Sequence, residues 1–381
     1  MTESSKVALV YCEAYELDAV RQAVKEGLDL IGGAGKFVKP GENILIKPNL
    51  LLGGSPDRVI SPHPTVFQAV LEEFQAVGAK LSFGDSPGFG GAKLAARPSG
   101  LLAVAEALNV PVADFTTGVE VSNSEGHLIK NFTLAKDVVE SDGLISLAKM
   151  KTHALTRITG AIKNQFGCIP GVLKAEFHSK LPNVDYFSKM LVDLNLCIKP
   201  RLYIMDGIIS MEGNGPQAGT PRPMHVLLFS TDPVALDASV CRMINLDENL
   251  VEPIKYGNEY GLGNSKDIDY VGEKPERFFT ADFNANRSPA STSTKPDAFN
   301  NRMMRNYITP RPVIMDEKCI KCGRCVEVCP AEPKALSWAN GKQQPPVYDY
   351  SKCIRCYCCQ ELCPEQAITT ETPWLGRLLG R

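Results

Sequence analysis

Two cysteine frames near the C-terminus restrict what this chain can fold into more than any other feature. The first is Cys319, Cys322, Cys325 and Cys329, followed by Pro330. The second is Cys353, Cys356, Cys359 and Cys363, followed by Pro364. Each reads C-x2-C-x2-C-x3-C-P, the bacterial spacing in which three thiolates of a run bind one 4Fe–4S cube and the fourth ligates the other cube. One cluster is therefore expected on Cys319, Cys322, Cys325 and Cys363, and a second on Cys353, Cys356, Cys359 and Cys329. Short C-x2-C loops bring three thiols together at little closure cost. The x3 step and the proline carry the fourth away. Paired zinc knuckles usually have a longer gap between pairs and no use for a crossed fourth cysteine.

The chain has 381 residues, enough for two domains. Charged residues make up 22% and hydrophobic residues 44%, with a formal net charge of −2. Nothing in that balance attracts nucleic acid or an anionic membrane. No apolar run approaches the ~18 residues of a transmembrane helix, and the N-terminus lacks a signal-peptide core. The expected location is cytoplasmic, where cysteines serve metals rather than disulfides. Five of the 13 cysteines lie outside the frames. Cys12, Cys168, Cys197 and Cys241 sit in apolar or mixed stretches and read as small core residues. Cys358, inside the second frame, reads as a packing residue close to a cluster.

The first two-thirds of the chain alternates strand-like and helix-like segments. Strands are expected at Lys6 to Tyr11, Asn43 to Ile46, Lys80 to Phe83, Gly143 to Ala148, Leu202 to Met205 and Met224 to Phe229. Between them, Glu16 to Leu30 and Pro64 to Val77 carry apolar residues at helical spacing. Asp232 and Pro233 are placed to start another helix as N-cap and first residue. This rhythm predicts an α/β fold with a doubly wound, mostly parallel sheet, followed by a small α+β ferredoxin-like domain. The expected divisions are an α/β domain over 1–284, a linker over 285–312, the cluster domain over 313–370, and a tail over 371–381. Asn340-Gly341 signals a hairpin between the frames. The tail, with a tryptophan and three leucines, reads as a short helix on the protein's own surface or a frayed end.

Two extra residues follow Cys329-Pro330 before Ala335-Leu336, compared with the spacing after Cys363-Pro364. They are expected to reshape one cluster's rim and leave the ligands intact. Lys318, Lys321, Arg324, Lys352 and Arg355 flank the ligands and favour the reduced, more negative clusters. Two adjacent cubes suit the passage of single electrons better than a structural staple.

A second constellation runs from Lys149 to His178 and holds Lys149, Lys151, His153, Arg157, Lys163, Lys174 and His178 against one acidic residue, Glu176. It follows an expected strand, where open α/β sheets place their ligand crevices. Lys47 and Asn49 follow a strand as well. So do Asp85 and Ser86, within a glycine-bearing GDSPG turn whose N–H groups suit an anion. Asp206-Gly207, with Glu212 to Pro216 beyond, is a third such end. The candidate substrate-binding residues are therefore Lys47, Asn49, Asp85, Ser86, Lys151, Lys163, Asn164 and Asp206. His153 and His178 are candidate proton donors. His63 and His225, beside apolar runs, read as structural.

The segments ILIKPN (44–49), GDSPG (84–88), KMKTHALT followed by GAIKNQFGCIPG (149–171), His178 and MDGIISMEGNGP (205–216) resemble the family known as domain of unknown function 362. The C-terminal CIRCYCCQELCP resembles members with a ferredoxin-like tail. The resemblance covers nearly the whole chain and implies two domains with two 4Fe–4S clusters; it implies no reaction. The residues themselves lead to an iron–sulfur oxidoreductase of the kind used in anaerobic metabolism. It would take electrons from a redox protein partner and pass them to a small anionic substrate or cofactor. No G-x-G-x-x-G opens a helix after the first strand, so a dinucleotide is not expected. A non-enzymatic electron carrier that docks a partner enzyme, or a redox-sensing or assembly protein, would use the same frames.

Overall fold

The computed structural model describes residues 4–88, 90–171, 173–288, 302–339 and 341–378. Among the described residues the main sheet has seven strands side by side, β1 (Ser5–Tyr11), β2 (Asn43–Pro48), β3 (Lys80–Phe83), β4 (Gly143–His153), β5 (Leu202–Glu212), β6 (Thr220–Ser230) and β7 (Ile268–Gly272), and a short eighth, Arg157–Ile158, paired with the end of β4. The order of the seven is β7-β1-β6-β5-β4-β2-β3. β4 pairs in parallel with both β2 and β5, β2 with β3, and β1 with β7. β6 is antiparallel to β1 and to β5, which makes the sheet mixed at that position.

Alternation along the strands gives each face its own core. On one side Ala8, Val10, Ile44, Ile46, Ile145 and Leu147 meet α1 (Leu17–Leu30) and α2 (Pro64–Ala76) through Val20, Val24, Leu28, Phe67, Val70 and Phe74. A Cβ at Gly27 of α1 would run into the ring of Phe229, so glycine sets the closest approach of that helix to β6. On the other side Val7, Leu9, Ala148, Met150, Met205 and Leu228 meet α5 (Val184–Ile198) and α6 (Pro233–Met243). Between α2 and α5 in chain order come the short helix α3 (Gly160–Asn164) and α4 (Leu173–Lys180). The start of α6 is capped as expected: the Asp232 side chain accepts from the N–H groups of Val234 and Ala235 at 2.8 and 3.0 Å.

Three strands run further than their apolar cores suggest. β4 continues to His153 because its lysines find acceptors inside the protein, so Lys149, Lys151 and His153 belong to the strand rather than to a loop after it. β5 continues to Glu212 and β6 begins at Thr220. Asp206 is thus an interior strand residue in register with Lys149, not the end of a strand.

The C-terminal part holds an antiparallel pair, β8 (Arg311–Ile314) with β9 (Ile368–Glu371). A second pair joins Leu336–Ser337 to Val347–Tyr348. These two segments bracket the expected Asn340-Gly341 turn, of which Asn340 lies outside the described residues. Two short helices, α8 (Arg324–Glu327) and α9 (Cys358–Glu361), carry cysteines of the frames. The expected linker over 285–312 is structured at both ends. Arg287 donates to the carbonyls of Ile244 and Phe283 at 2.7 and 2.8 Å, and Arg302–Ile308 forms α7; residues 289–301 lie outside the described residues. In the tail, Trp374–Leu378 is a short helix with Trp374 and Leu378 exposed, and 379–381 lie outside the described residues.

The small domain packs against the C-terminal end of β4. Tyr357, 1% exposed, belongs to the apolar core of the large domain. Gln217 Nε2 donates to the carbonyl of Cys363 at 2.8 Å, and Asn214 Nδ2 to that of Ile368 at 3.1 Å. Gln360 Nε2 donates back to Asn214 Oδ1. The Gly213–Gln217 loop therefore clamps the cysteine domain. Among the described residues no helix is long and apolar enough to cross a membrane.

Candidate functional site

A cavity of about 520 Å³ lies between the two domains. Its floor comes from the α/β domain: Asn49 after β2, Asp85 and Ser86 after β3, Lys163 and Asn164 from α3, and Lys174 and His178 from α4. Its roof comes from the cysteine domain and includes Val328, Cys329, Pro330, Cys358, Glu361 and Leu362. The expected crevice at the strand ends exists, and the cysteine domain closes it.

Of the residues expected in the site, Asn49, Asp85, Ser86, Lys163, Asn164 and His178 line this cavity. Lys47, Lys151 and Asp206 do not; they lie one layer beneath. Lys47 is fully buried, 2.8 Å from Asp85 Oδ1, and donates to Asn164 Oδ1 at 2.9 Å. Lys151 donates to Asn49 Oδ1 and to the carbonyl of Ile60, both at 2.7 Å. Lys149 pairs with Asp206 at 2.7 Å and donates to Tyr15 Oη at 2.8 Å. Lys47 and Lys151 fix the floor's Asp85, Asn164 and Asn49, while Lys149 is held deeper in the sheet. Gly167 must be glycine for this arrangement, since a Cβ there would overlap Asp85 Oδ1 and crowd Lys47 Nζ.

The GDSPG turn offers fewer free donors than expected. The N–H groups of Gly84, Ser86 and Gly88 donate to Ile46, Gly167 and Leu51 carbonyls. The turn acts instead as an acceptor. Lys174 Nζ donates to the Ser86 carbonyl, to Ser86 Oγ at 3.1 Å and to the Pro87 carbonyl at 3.0 Å.

Charge in the floor is unbalanced. Lys47 and Lys149 have carboxylate partners, whereas Lys151 and Lys174 are held by neutral oxygens. Lys163 makes no hydrogen bond or ion pair among the described residues; its ammonium stands 5.9 Å from the centre of the Phe166 ring. Burial pushes Lys151 well below its ordinary value, and Lys163 adds to this. Burial likewise brings Lys174 down to about 8. His178 stacks on Phe187 at 4.5 Å and meets Phe166 edge-on. Burial lowers its pKa to about 4 against the pull of Glu361, so the imidazole is neutral near pH 7.

His153 takes a different place from the one expected. Its Nδ1 accepts from the N–H groups of Leu155 and Thr156 at 3.0 and 3.3 Å. Its Nε2 faces Glu361 Oε1 of the cysteine domain at 2.8 Å. It lines a second interdomain cavity, about 450 Å³, on the far side of that pair, together with Gly213, Asn214 and Gly215. Sequence reasoning missed Glu361 altogether and left Lys174 among the basic residues without a role. Glu361 lies two residues from cysteines on either side. Nothing in a cysteine frame marks a carboxylate as an interdomain contact.

The cysteines gather in two groups. Cys319, Cys322, Cys325 and Cys363 line one small cavity, and Cys329, Cys353, Cys356 and Cys359 line another. Donors point at sulfurs of both groups. The N–H of Ala335 donates to Cys329 at 3.4 Å, that of Ala367 to Cys363 at 3.3 Å, and Tyr348 Oη to Cys359 at 3.2 Å. Among the described residues, no three His, Cys, Asp or Glu side chains converge tightly enough for a single metal ion. Each quartet rings a space instead, which is the donor arrangement a cube requires. The two extra residues after Cys329 let Lys334 turn back and donate to the carbonyls of Val326 and Glu327, both at 2.7 Å. Cys358 is buried and faces the large interdomain cavity.

Residues 44–242 match the profile of the family described as domain of unknown function DUF362, and residues 305–367 match a 4Fe-4S dicluster domain. The chain belongs to the DUF362 family. Its iron–sulfur part is a member of the dicluster domains. A thylakoid-associated protein of Synechocystis, sll1697, is 37% identical to this DUF362 chain over 257 residues, which cover 67% of the chain and 79% of that protein. The lactate racemase apoprotein of Thermoanaerobacterium thermosaccharolyticum superposes with a TM-score of 0.42 at 12% identity. That match covers 65% of this DUF362 chain and 57% of the racemase chain.

Proposed function

We propose that this protein is an iron–sulfur oxidoreductase that delivers electrons to a small anionic molecule held between its two domains. One observation carries the reading: Cys329, of the second quartet, lines the same cavity as Lys163, Asn164 and His178. Cys319, Cys322, Cys325 and Cys363 would hold one 4Fe–4S cluster, and Cys329, Cys353, Cys356 and Cys359 the other. The clusters, when bound, supply low-potential single electrons.

The protein's own residues do the rest. Lys163 and Lys174 are half-buried cations facing the cavity, with Glu361 as the carboxylate across from Lys163, and an anion bound there adds to the offset of their charge. Asn49 orients it through the second N–H of its amide, whose oxygen is fixed by Lys151; Asn164, closed on Lys47 and Ser146, accepts from Asn49 and holds it in place. Reduction of a double bond or a carbonyl needs a proton for each electron delivered. Lys174, poised near pH 8, is better matched to donate one at neutral pH than His178, whose neutral imidazole holds its one remaining N–H too tightly to act as an acid. His178 and Phe166 cover the floor. A redox protein partner would meet the first cluster, where Cys322 is exposed.

The deciding experiment is anaerobic purification, identification of any small molecule that co-purifies, and its addition to protein with pre-reduced clusters. Reoxidation coupled to conversion of that molecule is expected. Clusters that stay reduced in its presence, with the cavity occupied, would overturn the proposal.

A further inference from the structure

We infer that the occupant of the interdomain cavity is a carboxylate with an apolar body, its head on Lys163 and its body directed to the wall formed by Val328, Cys329 and Leu362. The inference rests on the proposed function and narrows its substrate class. Three observations lead to it.

First, the lysines of the floor are not equivalent. Lys47 and Lys151 are closed off by Asn164, Asp85, Asn49 and the Ile60 carbonyl, and neither lines the cavity. Lys174 is held on three oxygens of the Ser86-Pro87 turn. Lys163 alone among the cavity's cations lacks a hydrogen-bonded acceptor among the described residues, so its ammonium is the one with donors to give. Second, the donors that face the space are few. The turn that looked suited to a phosphate has its Gly84, Ser86 and Gly88 N–H groups engaged. A phosphate dianion needs several converging donors; one ammonium with a neighbouring amide suits a carboxylate. Third, apart from Glu327 and Glu361 on the cysteine-domain side, the remaining surface is largely apolar. Leu51, Phe166, Val328, Pro330 and Leu362 are its main elements, contributed by both domains. At about 520 Å³ the space is far larger than a bare anion and falls in the ~300–1,000 Å³ of small-molecule sites.

The test is anaerobic calorimetry on the full-length holoprotein with trans-cinnamate, cinnamyl alcohol and inorganic phosphate as probes. Cinnamate is expected to bind saturably at one site. Cinnamyl alcohol should bind more weakly by roughly tenfold to a hundredfold, the value of a charge-assisted hydrogen bond. Phosphate should not compete at equal concentration. Lys163→Gln should reduce cinnamate affinity to that of the alcohol and leave the alcohol unchanged, while Lys163→Arg restores most of the difference. Leu51→Ser should weaken both organic probes alike. Lys180→Gln, which alters an exposed lysine paired with Glu176, should change nothing. Equal binding of acid and alcohol, competition by phosphate, or indifference of cinnamate to Lys163→Gln would overturn the inference. So would the lack of any saturable site. Cluster reoxidation, read with the co-purifying molecule, fails separately. Anchored binding with no electron transfer sinks the proposed function alone, and electron transfer to a molecule indifferent to Lys163 sinks this inference alone.

Discussion

His153 Nε2 and Glu361 Oε1 lie 2.8 Å apart, joining the last residue of a central strand to a helix set within the second cysteine frame. Both side chains are nearly inaccessible. The contact lies between the two interdomain cavities, so it affects both the docking of the cysteine domain and the wall of the site.

Removing this carboxylate should loosen the domain contact. Glu361→Ala is expected to cost about 2 kcal/mol, the order of a charged hydrogen bond, in chemical denaturation of the holoprotein. Glu361→Gln, which keeps an oxygen opposite His153, should cost less than half as much. Equal stability of the alanine variant and the parent would show that the pair contributes nothing to docking.

Lys151 and Lys163 should separate stability from binding. Lys151→Met leaves Asn49 Oδ1 and the Ile60 carbonyl without their donor. A destabilisation of roughly 2–4 kcal/mol is expected from two such orphaned acceptors, with a smaller effect on cinnamate affinity than Lys163→Gln. Thermal melts beside calorimetry would show it; a Lys151→Met protein with full stability contradicts the buried role.

Acid should weaken the fold through neutral histidines. Burial is the leading cause that lowers His63, His153 and His178 to about 4, against an ordinary 6.5. Between those values the unfolded chain binds protons that the folded one does not. The stabilisation is complete above about pH 6.5 and is lost as pH falls through about 4. Melting temperatures measured from pH 7.5 to 4.5 should fall, and His178→Phe, which can still stack on Phe187, should fall less steeply. Parallel curves for the two proteins would refute the assignment.

Iron content tests the cysteines individually. Anaerobic protein should carry about eight irons, four per cube. Cys358→Ala should retain them, because Cys358 lies outside both quartets, while Cys359→Ala should lose about half. Loss of iron in the Cys358 variant would make that thiol a ligand.

Much of the architecture was readable along the chain. The strands at Lys6, Asn43 and Lys80, the helices from Glu16 and Pro64, and the Asp232 cap all depend on neighbours a few residues away. The errors came where distant partners change what a residue can do. β4 was expected to stop at Ala148, since lysines rarely continue a buried strand. Asp206, Asn49 and the Ile60 carbonyl supply acceptors that let it run to His153. Likewise the Glu212–Pro216 segment was expected to line the substrate crevice and instead clamps the cysteine domain.

Local spacing determined the chemistry available to this protein: two frames of thiols and a cluster of amines, each set by short-range loops and strand ends. Only tertiary contact decided which amines have a solvent-facing ammonium and which are enclosed, since that depends on carboxylates and amides up to 117 positions away, as for Lys47 and Asn164. Placing Cys329 over the same cavity as Lys163 required two domains to dock, and docking is a matter of surface fit that no single segment records.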